Sequence, residues 1–326
     1  MSTTRVALIG AGGWGYQHAR VLSRHPNVEL CAICGRTPER TRARSAEFGV
    51  APYTDIDEML RRERPDFVSL CLPNQGHFET TLHVIQAGIP LLVEKPLTFD
   101  LGEADTLLAE ADRRGLFFAI NFNHRYARPV RMAKEAIDAG RLGEIVFATW
   151  RFGGEGQSDH PHANLIETQC HGIDMLEHLC GAISTVMAQM TDMTGGGFRT
   201  LALALGFENG GVGAFAGSYD SSYAYRNTHA LEVNGTKGRL LIADTVKRYT
   251  FQQAGIETAE VWEAGYFNDW DREFHRTFDM YLDAMIGAFR AGEPPPVPAR
   301  AGRRALAIAE AAIRSHATGR RESVDA

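Results

Sequence analysis

Apolar and polar positions follow two regimes along the chain, with the change near residue 122. Up to that point, short continuous apolar runs at residues 5–9, 28–34, 67–72, 91–94 and 117–121, and a brief one at 52–53, alternate with segments whose apolar residues recur every three to four positions, at 14–24, 38–48, 55–62, 77–87 and 100–113. An apolar run of that length bounded by turn residues reads as a strand buried on both faces, and the longer spacing as a helix with one apolar face. Pro38 stands where proline suits a helix's first turn, and Gly88 where glycine ends one. The alternation predicts an α/β domain built on a doubly wound parallel sheet, the Rossmann arrangement, covered by helices on both sides.

Beyond residue 122 the pattern predicts helices at 129–139 and 165–179 with a strand at 145–152 between them. Mostly strands follow from 184 to 262, with turn signals at 194–197, 208–211 and Asn234-Gly235. A long helix at 271–290, a stiff spacer at Pro294-Pro295-Pro296 and a closing helix at 300–316 complete the chain. Runs of strands after a region of alternation predict a second, α+β domain with a large, mostly antiparallel sheet.

Composition narrows the function classes. At 326 residues the chain is long enough for two ordinary domains. Its net charge of −6 argues against a nucleic-acid partner, which needs a basic face. No apolar run approaches the roughly 20 residues of a membrane span. The run after the N-terminus is too short for a signal-peptide core, so a cytoplasmic location is expected. Cys31 and Cys34 have redox-motif spacing but lie in a predicted strand, where residues three apart point to opposite faces. The pair therefore reads as reduced core thiols, in preference to redox chemistry or zinc.

The chemistry starts at Gly10-Ala11-Gly12-Gly13-Trp14-Gly15, a G-x-G-x-x-G turn between a predicted strand and a predicted helix. Gly10 permits the tight turn, Gly12 lets backbone approach a pyrophosphate, and Gly15 lets the helix pack close to the strand; the helix N-terminus then faces the phosphates. This predicts an NAD(P) site and a division into an NAD(P)-binding domain over 1–122, an α+β substrate and oligomerisation domain over 123–298, and a C-terminal helical segment over 299–326 that packs back on the first domain. About 20 positions on, an acidic residue usually holds the ribose of NAD. Here Gly35-Arg36-Thr37 stands instead, with Arg40 nearby. Arg36 and Thr37 suit a 2′-phosphate, which favours NADP; NAD remains open if Arg36 is only a solvated charge.

Three further stretches fall at the carboxyl ends of predicted strands, where such sheets bind ligands. They are Leu72-Pro73-Asn74-Gln75-Gly76-His77, Glu94-Lys95-Pro96 and Asn123-His124-Arg125. A cis bond before Pro96 would aim Lys95 into the crevice. In the second domain Glu167, His171 and Asp174 stand at i, i+4 and i+7, one helix face that His178 continues. His171 suits proton transfer near neutral pH. The same face also reads as a metal site, disfavoured because no thiolate cluster accompanies it, or as satisfied surface histidines. No metal is expected.

Taken in order, G-A-G-G-W-G-x-x-H, C-L-P-N-x-x-H, V-E-K-P-L, N-H-R-Y and E-T-Q-C-H-G-I-D resemble the Gfo/Idh/MocA oxidoreductases nearly end to end, with residues 231–238 resembling that family's late hairpin. The resemblance implies that Glu94 contacts the nicotinamide ribose, that Lys95 touches cofactor and substrate hydroxyl, and that His171 donates or accepts the proton. Glu167 stands where the family often has aspartate and would line the proton relay. Asp174 would support the site by hydrogen bonding, and Asn123 and Arg125 would lie near the substrate. The family implies an open-faced second sheet that pairs subunits into homodimers or homotetramers, and a sugar, sugar-derivative or cyclitol substrate. Trp150-Arg151-Phe152, with residues 160–164 and 219–226, could line its pocket; Arg151 would answer an anionic substituent. Two other readings stand beside a dehydrogenase: an oxidoreductase recycling a retained cofactor between two sugars, and a non-catalytic NAD(P) sensor or transcription co-regulator. Retention of both Lys95 and His171 argues against the sensor.

Overall fold

A computed structural model describes residues 3–73, 76–268 and 270–324. Contacts divide the chain into two units: one runs to Phe122 and takes back Phe278–Arg303, the other comprises Asn123–Thr277 and the chain from Arg304 on.

In the first unit, strands β1 (Thr4–Ile9), β2 (Val28–Cys34), β3 (Ala51–Tyr53), β4 (Phe67–Leu70), β5 (Leu91–Val93) and β6 (Phe118–Ile120) alternate with helices α1 (Gly13–Leu22), α2 (Pro38–Phe48), α3 (Ile56–Glu63), α4 (His77–Gln86) and α5 (Leu101–Arg113). All six strands run parallel in the order β3-β2-β1-β4-β5-β6. Consecutive residues Val6, Ala7 and Leu8 are wholly buried, as a strand covered on both faces requires. Asp55 and Asp100 start α3 and α5 by accepting the amides of Glu58 at 2.8 Å and Glu103 at 3.0 Å. The order reverses between β1 and β4, and such a switch point opens a crevice at the strands' carboxyl ends. β4 stops two residues short of the expected 72, although the Cys71 amide still bonds to Ile9 O at 2.7 Å.

The second unit holds α6 (Arg128–Asp138), β7 (Ile145–Gly153), α7 (Cys170–Cys180), β8 (Ile183–Thr191), β9 (Thr200–Phe207), β10 (Val212–Ser218), β11 (His229–Gly235), β12 (Gly238–Ala243), β13 (Arg248–Gln253) and β14 (Glu260–Glu263). Two long helices, α8 (Trp270–Ala291) and α9 (Arg300–Thr318), each straddle the division, and β15 (Glu322–Ser323) ends the second sheet. That sheet has nine strands in the order β14-β13-β12-β11-β7-β10-β9-β8-β15, antiparallel throughout except that β10 and β7 run parallel.

Alternation along these strands gives the sheet two unlike faces. Ala148, Trp150, Phe152, Leu203, Leu205 and Phe215 are buried. Phe147, Met187, Val212 and the alanines between them on β9 and β10 are exposed. Helix α7 lies on the buried face: a Cβ on Gly172 would stand 2.3 Å from the Trp150 ring, so only glycine allows that approach.

The division differs from the expected one in two places. The later part of α8 belongs with the first unit, where Tyr281 OH donates to Ile120 O at 2.6 Å and Phe289 packs against Phe67 and Phe117. Helix α9 keeps company with the first unit only at its start, through Arg300–Asp112 and Arg303–Asp105. From Arg304, which pairs with Glu177, it belongs with the second: Ser315 Oγ and His316 Nδ1 accept the β8 amides of Ala188 and Met190. The expected continuous helix at 165–179 is broken into a π-turn over Asn164–Thr168 followed by α7. No helix among the described residues is long and apolar enough to cross a membrane.

Candidate active site

The glycine turn is built as a close-packed hinge with an open rim. Gly10 has φ of +121°, and a Cβ there would stand 2.1 Å from Cys71 O. A Cβ on Gly15 would stand 1.9 Å from Gly10 O, so this glycine is fixed by the approach of α1 to the strand end. Gly12 and Gly13 differ: a Cβ on either meets nothing within 4 Å. No side chain caps α1 and its first turn carries no acid, which leaves its amides suited to an anion. Trp14, half exposed, stacks on Phe278 at 5.8 Å. These features fit the pyrophosphate of a dinucleotide.

Just after β2, buried Gly35 lies against Ala11 and Thr41, followed by exposed Arg36 and Thr37, with Arg40 exposed on α2. Residues 34–38 contain no carboxylate. After β4, His77 Nε2 donates to Leu72 O at 2.9 Å, tying the loop to the helix that follows, and burial holds the His77 pKa down. Pro73 is exposed. Asn74 lies outside the described residues.

Glu94 directly follows β5 with only 5% exposure. Its Oε1 accepts from His18 Nε2 at 3.0 Å and from Asn121 Nδ2 at 2.6 Å, and its Oε2 accepts the Lys95 amide at 3.2 Å. Burial alone would raise its pKa, but the His18 bond and charge, Lys95 and Asn121 outweigh it and hold the carboxyl below its usual range. Both oxygens are thus engaged within the protein, a role the motif did not suggest. The Lys95–Pro96 bond is cis, as expected. His18, Cys71 and Glu94 bring metal-type donor atoms within 4.8 Å of one another, but the imidazole and carboxylate are already bonded to each other and to Ser69 and Asn121.

In the second unit, Asp174 and His171 lie buried on α7. Arg125, in a short 3-10 turn over Asn123–Tyr126, grips Asp174 with two bonds, Nε to Oδ2 at 2.8 Å and Nη2 to Oδ1 at 2.5 Å. Burial nevertheless dominates the Asp174 carboxyl and raises its pKa. His124 stacks on His171, ring centroids 3.9 Å apart and planes 14° from parallel. Asn123 spends its amide on Thr277 Oγ1 at 2.7 Å. Burial, with Arg125 and Lys134 nearby, pushes the half-buried His178 down to about 4.

Two of the expected stretches have a local structure that the sequence reading did not predict. The π-turn, closed by Gln169 N to Asn164 O at 2.9 Å, interrupts the expected helix just before His171. Glu167 stands on that π-turn, half-buried, while His171 and Asp174 are buried on α7; such bulges recur at functional sites. Arg151 is exposed on the sheet face opposite Trp150 and Phe152, away from α7, and its guanidinium donates to Asn227 O at 2.6 Å. Sequence reading passed over Ser69 and Asn121, and it named His18 and His124 within longer motifs without giving either a role. Only His18 carried a signal, as the polar residue one turn beyond Gly15 on a face of α1 that is otherwise apolar.

Comparison with known proteins agrees with this construction. Residues 4–122 match the NAD-binding Rossmann-fold model of the Gfo/Idh/MocA oxidoreductase family, and residues 134–325 match its C-terminal alpha/beta domain. Myo-inositol 2-dehydrogenase of Thermotoga maritima is 26% identical over 95% of this chain and 96% of its own. Inositol 2-dehydrogenase of Rhizobium meliloti is 24% identical over 99% of each. A levoglucosan dehydrogenase solved with NADH and levoglucosan superposes with a TM-score of 0.88 at 19% identity, covering 99% of this chain and 100% of its own. With both domain models matched in order over nearly the whole chain, the protein belongs to the Gfo/Idh/MocA family of NAD-binding oxidoreductases.

Proposed function

We propose that the protein is an NAD(P)-dependent dehydrogenase or reductase acting on a secondary hydroxyl of a sugar, sugar derivative or cyclitol. The observation that carries the chemistry is His171, a nearly buried imidazole ordered by a stacked ring and flanked on α7 by an arginine-gripped carboxylate. Full-length relatives named for inositol oxidation support the substrate class. A nicotinamide cofactor bound there would supply hydride exchange with the carbinol carbon. His171 takes the hydroxyl proton, and the Lys95 ammonium stabilises the developing alkoxide. Asp174 and Arg125 fix the frame around His171, with Glu167 beside it on the π-turn. The glycine turn, the loop of Leu72 to His77 and Lys95 hold the nucleotide. The missing carboxylate after β2, together with exposed Arg36, supports a preference for NADP over NAD. The exposed face of the nine-stranded sheet, with Phe147, Met187 and Val212, supports assembly into homodimers or homotetramers.

The test is a panel of sugars and cyclitols assayed with NAD and NADP by nicotinamide absorbance, run beside Lys95→Ala. Wild type should turn over at least one compound, and Lys95→Ala should bind nucleotide but show no turnover. Persistent turnover in Lys95→Ala overturns the mechanism. Tight nucleotide binding with no turnover on any compound favours the sensor reading.

A further inference from the structure

The first unit contains a buried polar network that the motifs did not assign. His18 on α1 is fully buried. Its Nδ1 lies 2.7 Å from Ser69 Oγ on β4, and its Nε2 lies 3.0 Å from Glu94 Oε1 just after β5. Asn121, just after β6, donates to that same oxygen at 2.6 Å. The ring also meets Phe278 edge-on at 5.8 Å. Side chains from α1 and from just after β6 therefore converge on one carboxylate, with Ser69 of β4 behind the imidazole.

We propose that His18 is a positioning residue: by anchoring Glu94 it fixes the backbone from which Lys95 projects. The role in turnover rests on the dehydrogenase reading above. A carboxylate is planar, so anchoring Oε1 through two donors also fixes Oε2, and Oε2 accepts the Lys95 amide at 3.2 Å. A desolvated carboxylate persists as an anion only where donors compensate the lost hydration. The lowered Glu94 pKa agrees with that compensation. An apolar side chain would fill the same core volume without a polar atom to satisfy, so filling alone does not account for histidine at this position. Because His18 sits one turn beyond Gly15, the helix whose N-terminus faces the nucleotide also carries the anchor for Lys95. Nucleotide cradle and reacting lysine thus share one rigid support.

The test compares full-length His18→Leu, His18→Gln and Asn121→Ser with wild type. Three quantities are read: hydrogen exchange of the Lys95 amide, NADH affinity by fluorescence titration, and kcat and KM for the panel compound that wild type oxidises fastest. In His18→Leu the Lys95 amide should exchange about tenfold faster or more and kcat should fall about tenfold or more, the scale of one charge-assisted hydrogen bond. NADH affinity and KM should change less than kcat, since most nucleotide contacts lie in the glycine turn and the loop after β4. His18→Gln, which keeps a donor for Oε1, should recover most of both losses. Asn121→Ser should give a smaller loss in the same direction and carries the test if His18→Leu does not fold. Wild-type exchange and kcat in a folded His18→Leu overturn the proposal. So does equal collapse of affinity and kcat with glutamine no better than leucine. If wild type oxidises nothing on the panel, the dehydrogenase reading falls, while the exchange of the Lys95 amide still decides whether His18 anchors it.

Discussion

Replacing Arg125 by methionine should destabilise the second unit strongly, and most of all at neutral to alkaline pH. The guanidinium makes both of its described bonds to Asp174, whose side chain is 4% exposed. Methionine keeps much of the volume and removes the charge. Taking one partner from a buried ion pair costs about 3–5 kcal/mol, because the other is left charged and desolvated. At roughly 2–4 °C per kcal/mol for domains of 150–250 residues, the thermal midpoint should drop by about 6–20 °C. Asp174 already has a raised pKa in the folded state, burial outweighing Arg125, and loss of the arginine raises it further. A carboxyl whose folded pKa lies above its unfolded value of about 3.9 favours the folded state only while protonated. That contribution is complete below the unfolded pKa and is lost as pH rises through the folded one. The deficit of Arg125→Met should therefore be small near pH 4 and full at pH 8. The double variant Arg125→Met/Asp174→Leu should recover most of the loss, since an apolar pair needs no compensation. Midpoints measured by circular dichroism from pH 4 to pH 8 on wild type, single and double variants decide the matter. A deficit independent of pH, or a double variant no better than the single, would refute the account of Asp174 as a buried charge held by Arg125.

Two further substitutions separate binding from folding. Gly15→Ala puts a methyl 1.9 Å from Gly10 O and should lower the midpoint by an overpacking cost of ~1–3 kcal/mol or more, with nucleotide affinity falling alongside. Gly12→Ala meets nothing within 4 Å and should cost the fold no more than ~1 kcal/mol at a helix N-cap, yet weaken nucleotide binding about tenfold or more; calorimetric titration beside thermal melts distinguishes the two. Arg36→Ala should weaken NADP about ten- to a hundredfold, the worth of a charge-assisted contact, while NAD changes little. Equal effects on both nucleotides would remove Arg36 from cofactor choice.

What could be read from the chain alone was whatever local pattern decides. The burial of Val6 to Leu8 on both faces, the positive φ of Gly10 and the close fit of Gly15 all follow from residues a few positions apart. Cys31 and Cys34 likewise turn out buried and free, with burial pushing each thiol up to about 11. The Glu94 network was not legible, because His18 meets Ser69 and Glu94 across 51 and 76 positions and no local pattern couples them. The π-turn escaped for a different reason: one extra residue in a turn leaves the apolar spacing of 165–179 almost unchanged. The outward place of Arg151 was legible. A period of two already sets it on the opposite face from Trp150 and Phe152.

The second sheet carries a kinetic consequence in the place of β7. By sequence, β8-β9-β10 and β11-β12-β13-β14 are two meanders, each closed by neighbours joined through short connections. Strand β7 precedes both, yet lies between them, parallel to β10 across the register Val212–Phe147 and antiparallel to β11. Each meander can form from local contacts with little loop to close. Seating β7 requires the loops back to residues 212 and 229 to close, and long-range closure is what slows folding. The strand bearing Trp150, on which the His171 helix rests, is thus the seam where two locally formed halves are joined.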